Sequence, residues 1–196
     1  HDWARHLADD DILHLPDSTV TVVGVGGIGA EIGRMVSAFG ARVIGVDPQT
    51  KNAPAGFVIV VPPQELDSVI PQSDAVILTL PHTPESEGLM NASRLALMKP
   101  SAFLVNIGRG ATVHLNAVVD ALRNGKLGGA ALDVFEEEPL PPDHPLWDEP
   151  RALLTPHVAV VGPHIPERRL EVLVENARRF VANRELINEV NKALWY

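Results

Sequence analysis

Short runs of β-branched and aliphatic residues recur along the chain, and stretches with apolar residues at helical spacing separate them. The runs TVTVVG (19–24), ARVIGVD (41–47), FVIVV (57–61), DAVILTL (74–80), AFLVNI (102–107) and GAALDV (129–134) are strand-sized and almost wholly apolar. Such runs predict strands buried on both faces. ALLTPH (152–157) predicts a last short strand. Between them, GIGAEIGRMVSAFG carries Ile28, Ile32, Met35, Val36 and Phe39 at helical spacing, with Gly40 where a C-terminal cap belongs. PQELDSVI (63–70) predicts a short helix with Pro63 in its first turn. Two more helices are predicted over 91–98 and 114–124. Residues 163–184 predict a long amphipathic helix, with Leu170, Leu173, Val174, Ala177, Phe180 and Val181 on one side. Residues 1–17, with Trp3, Leu7, Ile12, Leu13 and Leu15 among charges, predict a helix or connecting arm.

Strand and helix thus alternate at least five times. That alternation predicts an α/β fold, a doubly wound parallel sheet with helices on both faces. The expected organisation is an arm over 1–17, one domain over 18–162, and a crossing helix with its tail over 163–196. The proline-rich EEEPLPPDHPLW (136–147) is the one long irregular stretch, and such loops are often functional.

Composition narrows the function. With 196 residues, 45% hydrophobic and 21% charged, the chain has the balance of an ordinary globular protein with a sizeable core. Its net charge of −9 argues against a nucleic-acid partner. The absence of cysteine excludes disulfide and thiolate chemistry. The apolar runs fall short of the roughly 20 residues of a membrane helix, so no membrane partner is expected. A cytoplasmic location is expected. The chain begins at His1 without a signal-peptide pattern, which leads us to expect further residues upstream.

The candidate chemistry begins at TVVGVGGIGA, where Gly24, Gly26 and Gly29 have GxGxxG spacing between a strand and a helix. In a dinucleotide site such glycines allow a tight turn, close backbone approach to the pyrophosphate, and close helix–strand packing. The helix beginning near Gly27 would aim its free N–H groups at the phosphates. Asp47 ends the second strand 18 residues after Gly29. An acid there accepts from both hydroxyls of the adenosine ribose and repels a 2′-phosphate, favouring NAD over NADP. A glycine turn of another nucleotide fold, such as a methyltransferase, is the bland alternative. Downstream, Arg109 in NIGRG, Asp133 and Glu138 in LDVFEEEP, and His157 in TPHVA follow successive strands, where open α/β sheets bind ligands.

These stretches, together with LPHTPESEGLMN, LALMKPSAFLVNIGRG and GGAALDVFEEEPLP, resemble the D-2-hydroxyacid dehydrogenase family in order and spacing, from about Ser18 onward. The resemblance implies an NAD(P)-binding Rossmann-type domain and hydride transfer between NAD(H) and a small 2-oxo or 2-hydroxy acid. It implies that Arg109 holds the substrate carboxylate and carbonyl oxygen, a task suited to a guanidinium fork. His157 would be the proton donor in reduction and the base in oxidation. Glu138 would pair with His157, since a carboxylate favours the charged imidazolium. Asp133 would bind the nicotinamide carboxamide. The backbone at Gly27 and Ile28 would meet the pyrophosphate, Leu80, Pro81, Ser86 and Ile107 match further cofactor-contacting positions, and Arg109 and His157 are expected to contact the cofactor as well as the substrate. Glu136 and Glu137 read as a solvated charge run. His157 and His164 lack the spacing and the carboxylate partner of a metal pair, so no metal is expected.

Three features depart from the family. Ser86 stands where threonine is common, keeping the hydroxyl. His114 and Asn116 occupy positions that are often acidic. No separate substrate domain is present, so the chain is expected to be a cofactor domain that binds NAD weakly or moderately and turns over little substrate. The apolar side of 163–184, with Trp195 and Tyr196, is expected to dock on a neighbouring chain or lose order, and a homodimer is expected. Phosphoglycerate, hydroxypyruvate/glyoxylate and lactate-type enzymes all fit; a formate dehydrogenase, with an amide at the Glu138 position, does not. The family's NAD-sensing co-repressor branch is the alternative from another class.

Overall fold

The β-branched runs fold as seven strands: β1 (Thr19–Val23), β2 (Arg42–Val46), β3 (Phe57–Val61), β4 (Ala75–Leu78), β5 (Phe103–Asn106), β6 (Gly129–Leu132) and β7 (Ala152–Leu154). The computed structural model describes residues 12–49 and 52–192, so residues 1–11 of the expected arm, with Trp195 and Tyr196, lie outside the described residues. Every neighbouring strand pair is parallel, in the order β3-β2-β1-β4-β5-β6-β7. A parallel sheet needs cover on both faces, and alternate side chains supply two clusters. Val20, Val22, Val43, Phe57 and Ala75 pack on one side with Ile32 and Val36. Val23, Ile44, Val46, Leu104 and Leu132 join the larger cluster on the other. A fully buried side chain of this kind contributes roughly 1.5–3 kcal/mol.

The helices are α1 (Gly27–Ala38), α2 (Leu66–Val69), α3 (Ala92–Leu95), α4 (Leu115–Arg123) and α5 (Ile165–Val181). The run predicted at 63–70 forms, with single 3-10 turns on either side of α2 and Pro63 in the first of them. Gly40 follows α1 at φ +93°, the left-handed cap its position predicts. The apolar positions of α1 do not all meet the sheet, however. Ile28, Met35 and Phe39 are exposed, and the buried residues of α1 are Gly29 and Gly33. A Cβ at Gly33 would stand 2.1 Å from the Phe57 ring, so the helix sits on the sheet through its glycine face.

The chain divides into two units, the first ending at Pro156 and the second beginning at His157. All seven strands lie in the first. In the second, α5 carries no buried residue, and Leu170, Leu173, Phe180 and Val181 are exposed. Its tail folds back on it. The Asn176 amide donates to Ile187 O at 2.9 Å and accepts from Ile187 N at 2.8 Å. Among the described residues no helix is long and apolar enough to cross a membrane, and no group of three or more histidine, cysteine or acidic side chains is placed to hold a metal.

Candidate functional site

The sheet order reverses between β1 and β4, and the crevice there receives the glycine turn. Gly24 has φ +91° and its N–H donates to Val46 O at 2.8 Å, which ties the turn to the end of β2. A Cβ at Gly29 would stand 1.9 Å from Gly24 O, so the first turn of α1 closes against the loop before it. Over Gly26 and Gly27 there is open space instead, with no atom within 4 Å of where a Cβ would be. Gly26 caps α1 without a side-chain hydrogen bond, and no acidic residue lies in the first turn. The free N–H groups and positive helix end therefore face an open volume, which suits an anionic phosphate. Beyond the first turn of α1, hydrogen bonding to Arg34 holds the exposed Glu31 carboxyl below its ordinary range.

Asp47 stands just beyond β2. Its Oδ2 accepts from Val25 N and its Oδ1 from Gln49 N, both at 2.8 Å. The carboxylate is thus fixed at the head of the glycine turn. Leu80, two residues past β4, lies against Gly24, whose Cβ would be 2.8 Å from Leu80 N. The loop after Pro81 is closed by Ser86. Its hydroxyl donates to Pro81 O at 2.8 Å and accepts from Thr83 N at 2.7 Å, and the side chain is buried. That hydroxyl shapes the loop. Ile107 continues the β4–β5 ladder through its N–H to Leu78 O at 3.2 Å.

Arg109 is presented by a device that the sequence reading passed over. Asn106 ends β5 wholly buried; its Oδ1 accepts from Gly108 N and its Nδ2 donates to Arg109 O, each at 3.0 Å. Thr112 Oγ1 donates to the same carbonyl at 2.6 Å. The turn holding Arg109 is therefore built from inside the core, and the guanidinium Nη1 donates to Gly108 O at 2.7 Å. The available signal was an amide inside the otherwise apolar AFLVNI.

Asp133, one residue past β6, is buried, and its N–H donates to Asn106 O at 3.0 Å. Glu138 Oε1 accepts from Phe135 N at 3.0 Å. Glu136 is not merely solvated, as its place in the charge run suggested. Its Oε2 accepts from Leu115 N at 2.8 Å, taking up an open N–H of α4 that His114, the cap residue, leaves unbonded. Glu137 is exposed. His157 opens the second unit with φ 53°, a left-handed conformation that His164, Asn183 and Asn188 share and that histidine and asparagine adopt more readily than most residues. The first unit thus brings together Gly24, Gly26, Gly27, Ile28, Gly29, Asp47, Leu80, Ile107, Arg109 and Asp133 along the carboxyl ends of its strands.

Thr79 was also missed. Its hydroxyl donates to Gly24 O at 2.6 Å and reaches Val23 O at 3.3 Å. This hydroxyl joins β4 to the glycine turn. Replacing Thr79 with valine is expected to weaken dinucleotide binding by about tenfold in a fluorescence titration, the scale of one hydrogen bond, while serine preserves it.

A cavity of about 630 Å³ lies at the opposite, amino ends of the strands. Its polar groups already have partners: Asp74 accepts from Thr19 N and Lys99 Nζ, and His14 pairs with Asp17. The cluster of backbone donors and charged residues lies at the carboxyl ends.

Residues 1–159 match the family model for the NAD binding domain of D-isomer specific 2-hydroxyacid dehydrogenases. Similar curated proteins include a glyoxylate reductase from Thermofilum pendens, 36% identical over 162 residues, covering 83% of this chain and 48% of the relative. A hydroxypyruvate reductase from Blautia hydrogenotrophica is 31% identical over 195 residues, covering 97% of this chain and 58% of the relative. Among solved structures, an NADPH-dependent glyoxylate/hydroxypyruvate reductase from Sinorhizobium meliloti, in complex with NADP and sulfate, superposes with a TM-score of 0.88 at 30% identity, covering 98% of this chain and 60% of that one. The chain spans about half to three fifths of the length of these relatives.

Proposed function

The chain belongs to the D-isomer specific 2-hydroxyacid dehydrogenase family, and we propose that it is the cofactor-binding part of an NAD-dependent reductase of small 2-oxo acids, of the glyoxylate or hydroxypyruvate type. The observation that carries this reading is the gathering of Arg109, Asp133 and the glycine turn at the carboxyl ends of β1, β4, β5 and β6. The open space over Gly26 and the uncapped start of α1 fit a pyrophosphate, and Asp47 fits an unphosphorylated ribose. When bound, the reduced nicotinamide supplies the hydride.

The chain's own residues do the rest in this reading. Arg109 pairs with the substrate carboxylate through two parallel N–H groups and polarises the carbonyl oxygen. His157 gives a proton to that oxygen as the carbonyl is reduced, and takes one in the reverse direction. Glu138 stabilises the charged imidazolium. Asp133 accepts from the carboxamide and so selects the ring face presented to substrate. Substrate closure and exclusion of water fall to the remainder of a longer protein. The chain by itself is accordingly expected to bind the cofactor with little turnover. A homodimer in the cytoplasm is part of the same proposal.

The test is a pair of titrations and an assay. NADH should bind this chain more tightly than NADPH, and the longer protein should oxidise NADH with glyoxylate or hydroxypyruvate. Asp47→Asn should move the NADH-to-NADPH affinity ratio toward NADPH by about tenfold, as one repulsive charge near the 2′-phosphate is removed. Tighter binding of NADPH by the unsubstituted chain overturns the NAD assignment.

A further inference from the structure

Asp133 and Thr155 are cross-strand neighbours at the carboxyl edge of the sheet. In the parallel β6–β7 pair Leu132 stands opposite Leu154, which places the next residues, Asp133 and Thr155, side by side just past the two strands. Each is pinned by an extension of the ladder. Asp133 N donates to Asn106 O, and Thr155 N donates to Leu132 O, both at 3.0 Å. Between them, Thr155 Oγ1 donates to Asp133 Oδ1 at 2.6 Å. That is a short hydroxyl-to-carboxyl hydrogen bond, the length at which Thr79 and Thr112 also donate to backbone carbonyls.

The two side chains differ in burial. Asp133 is 4% exposed, whereas Thr155 lies at the surface. A buried carboxylate has no bulk water to hold its orientation, so the hydrogen bonds it accepts set the plane of the group, and the Thr155 hydroxyl supplies one of them. Both backbones are fixed by the sheet, so the hydroxyl has a single rigid geometry to impose.

We propose that Thr155 is a positioning residue for Asp133: by holding Oδ1 it helps to set the angle at which the carboxylate would meet the nicotinamide carboxamide, and it acts on that end of the cofactor alone. This rests on the reading of Asp133 given above. Two residues further on lies His157, so one short stretch, Thr155-Pro156-His157, carries both the brace for the cofactor ring and the proposed proton donor.

The test uses two ligands that differ by the nicotinamide. NADH and ADP-ribose are titrated by calorimetry into this chain as the unsubstituted protein, T155V and T155S. Valine keeps the shape and removes the donor, and the surface location of Thr155 leaves the core packing unchanged. T155V should weaken NADH about tenfold, the size of one charge-assisted hydrogen bond. ADP-ribose should stay within about twofold, and T155S should restore NADH binding. Equal loss of both ligands, no loss of either, or no rescue by serine overturns the proposal. If the unsubstituted chain binds neither ligand, the cofactor reading fails and this proposal falls with it. If NADPH proves the tighter ligand, the Asp47 reading fails, and NADPH with 2′-phospho-ADP-ribose becomes the test pair.

Discussion

Replacing Gly110 with alanine is expected to cost the first unit at least about 3 kcal/mol, visible as a fall of roughly 6–12 °C in a circular-dichroism melt. Gly110 is buried where the Arg109 turn crosses the acidic turn after β6. An added Cβ would stand 1.7 Å from Phe135 O and 2.0 Å from Phe135 C. Both are backbone atoms, so no side chain can swing aside. The strand-end segment holding Phe135 must move, and Phe135 N is the donor that anchors Glu138. The same substitution should therefore loosen Arg109 and Glu138 together. A variant melting within 2 °C of the parent would show that the two turns separate more easily than their packing implies.

Replacing His157 with alanine in the longer protein is expected to lower NADH-dependent reduction of glyoxylate or hydroxypyruvate by about 10²- to 10⁴-fold, the range for loss of a general acid. Affinity for NADH should change by less than about threefold, because in the proposed function the imidazole acts chiefly on the substrate oxygen. Activity that survives within tenfold would place the proton donor elsewhere.

What the sequence revealed and what it hid follow from the range of the interactions. The strands were legible because a strand buried on both faces must be apolar at nearly every position, as DAVILTL is; FVIVV is as apolar but forms the edge strand β3, where Val58 and Ile59 are exposed rather than buried as the run predicts. The glycine turn was legible because GxGxxG lies between the strand and helix of one βαβ unit, with Asp47 just past its second strand. The inward face of α1 was hidden. Apolar spacing marks Ile28, Met35 and Phe39, yet contact with the sheet is set by how closely the helix approaches, and at Gly29 and Gly33 that approach leaves no room for a Cβ. Thr79, Asn106, Thr155 and Glu136 were hidden for a different reason. Apart from the short Asn106 turn, each acts on a residue tens of positions away: Thr79 on Gly24, Thr155 on Asp133, Glu136 on Leu115. Periodicity carries no information about such pairs. The residues expected to touch ligand announced themselves by type, while those that hold them in place became visible only with the fold.

The strand order also governs the birth of the chain. Of the seven strands β1 emerges first yet ends in the middle of the sheet, with β2 beside one of its edges and β4 beside the other. By the time Val61 completes β3, three strands can pair, but the inner edge of β1 stays bare until Ala75 arrives. At ordinary synthesis rates that interval lasts roughly one to three seconds. For that time an apolar strand offers unpaired backbone groups to any neighbouring nascent chain. A slow codon or a truncation between residues 61 and 75 would thus turn the most protected strand of the finished protein into its point of aggregation.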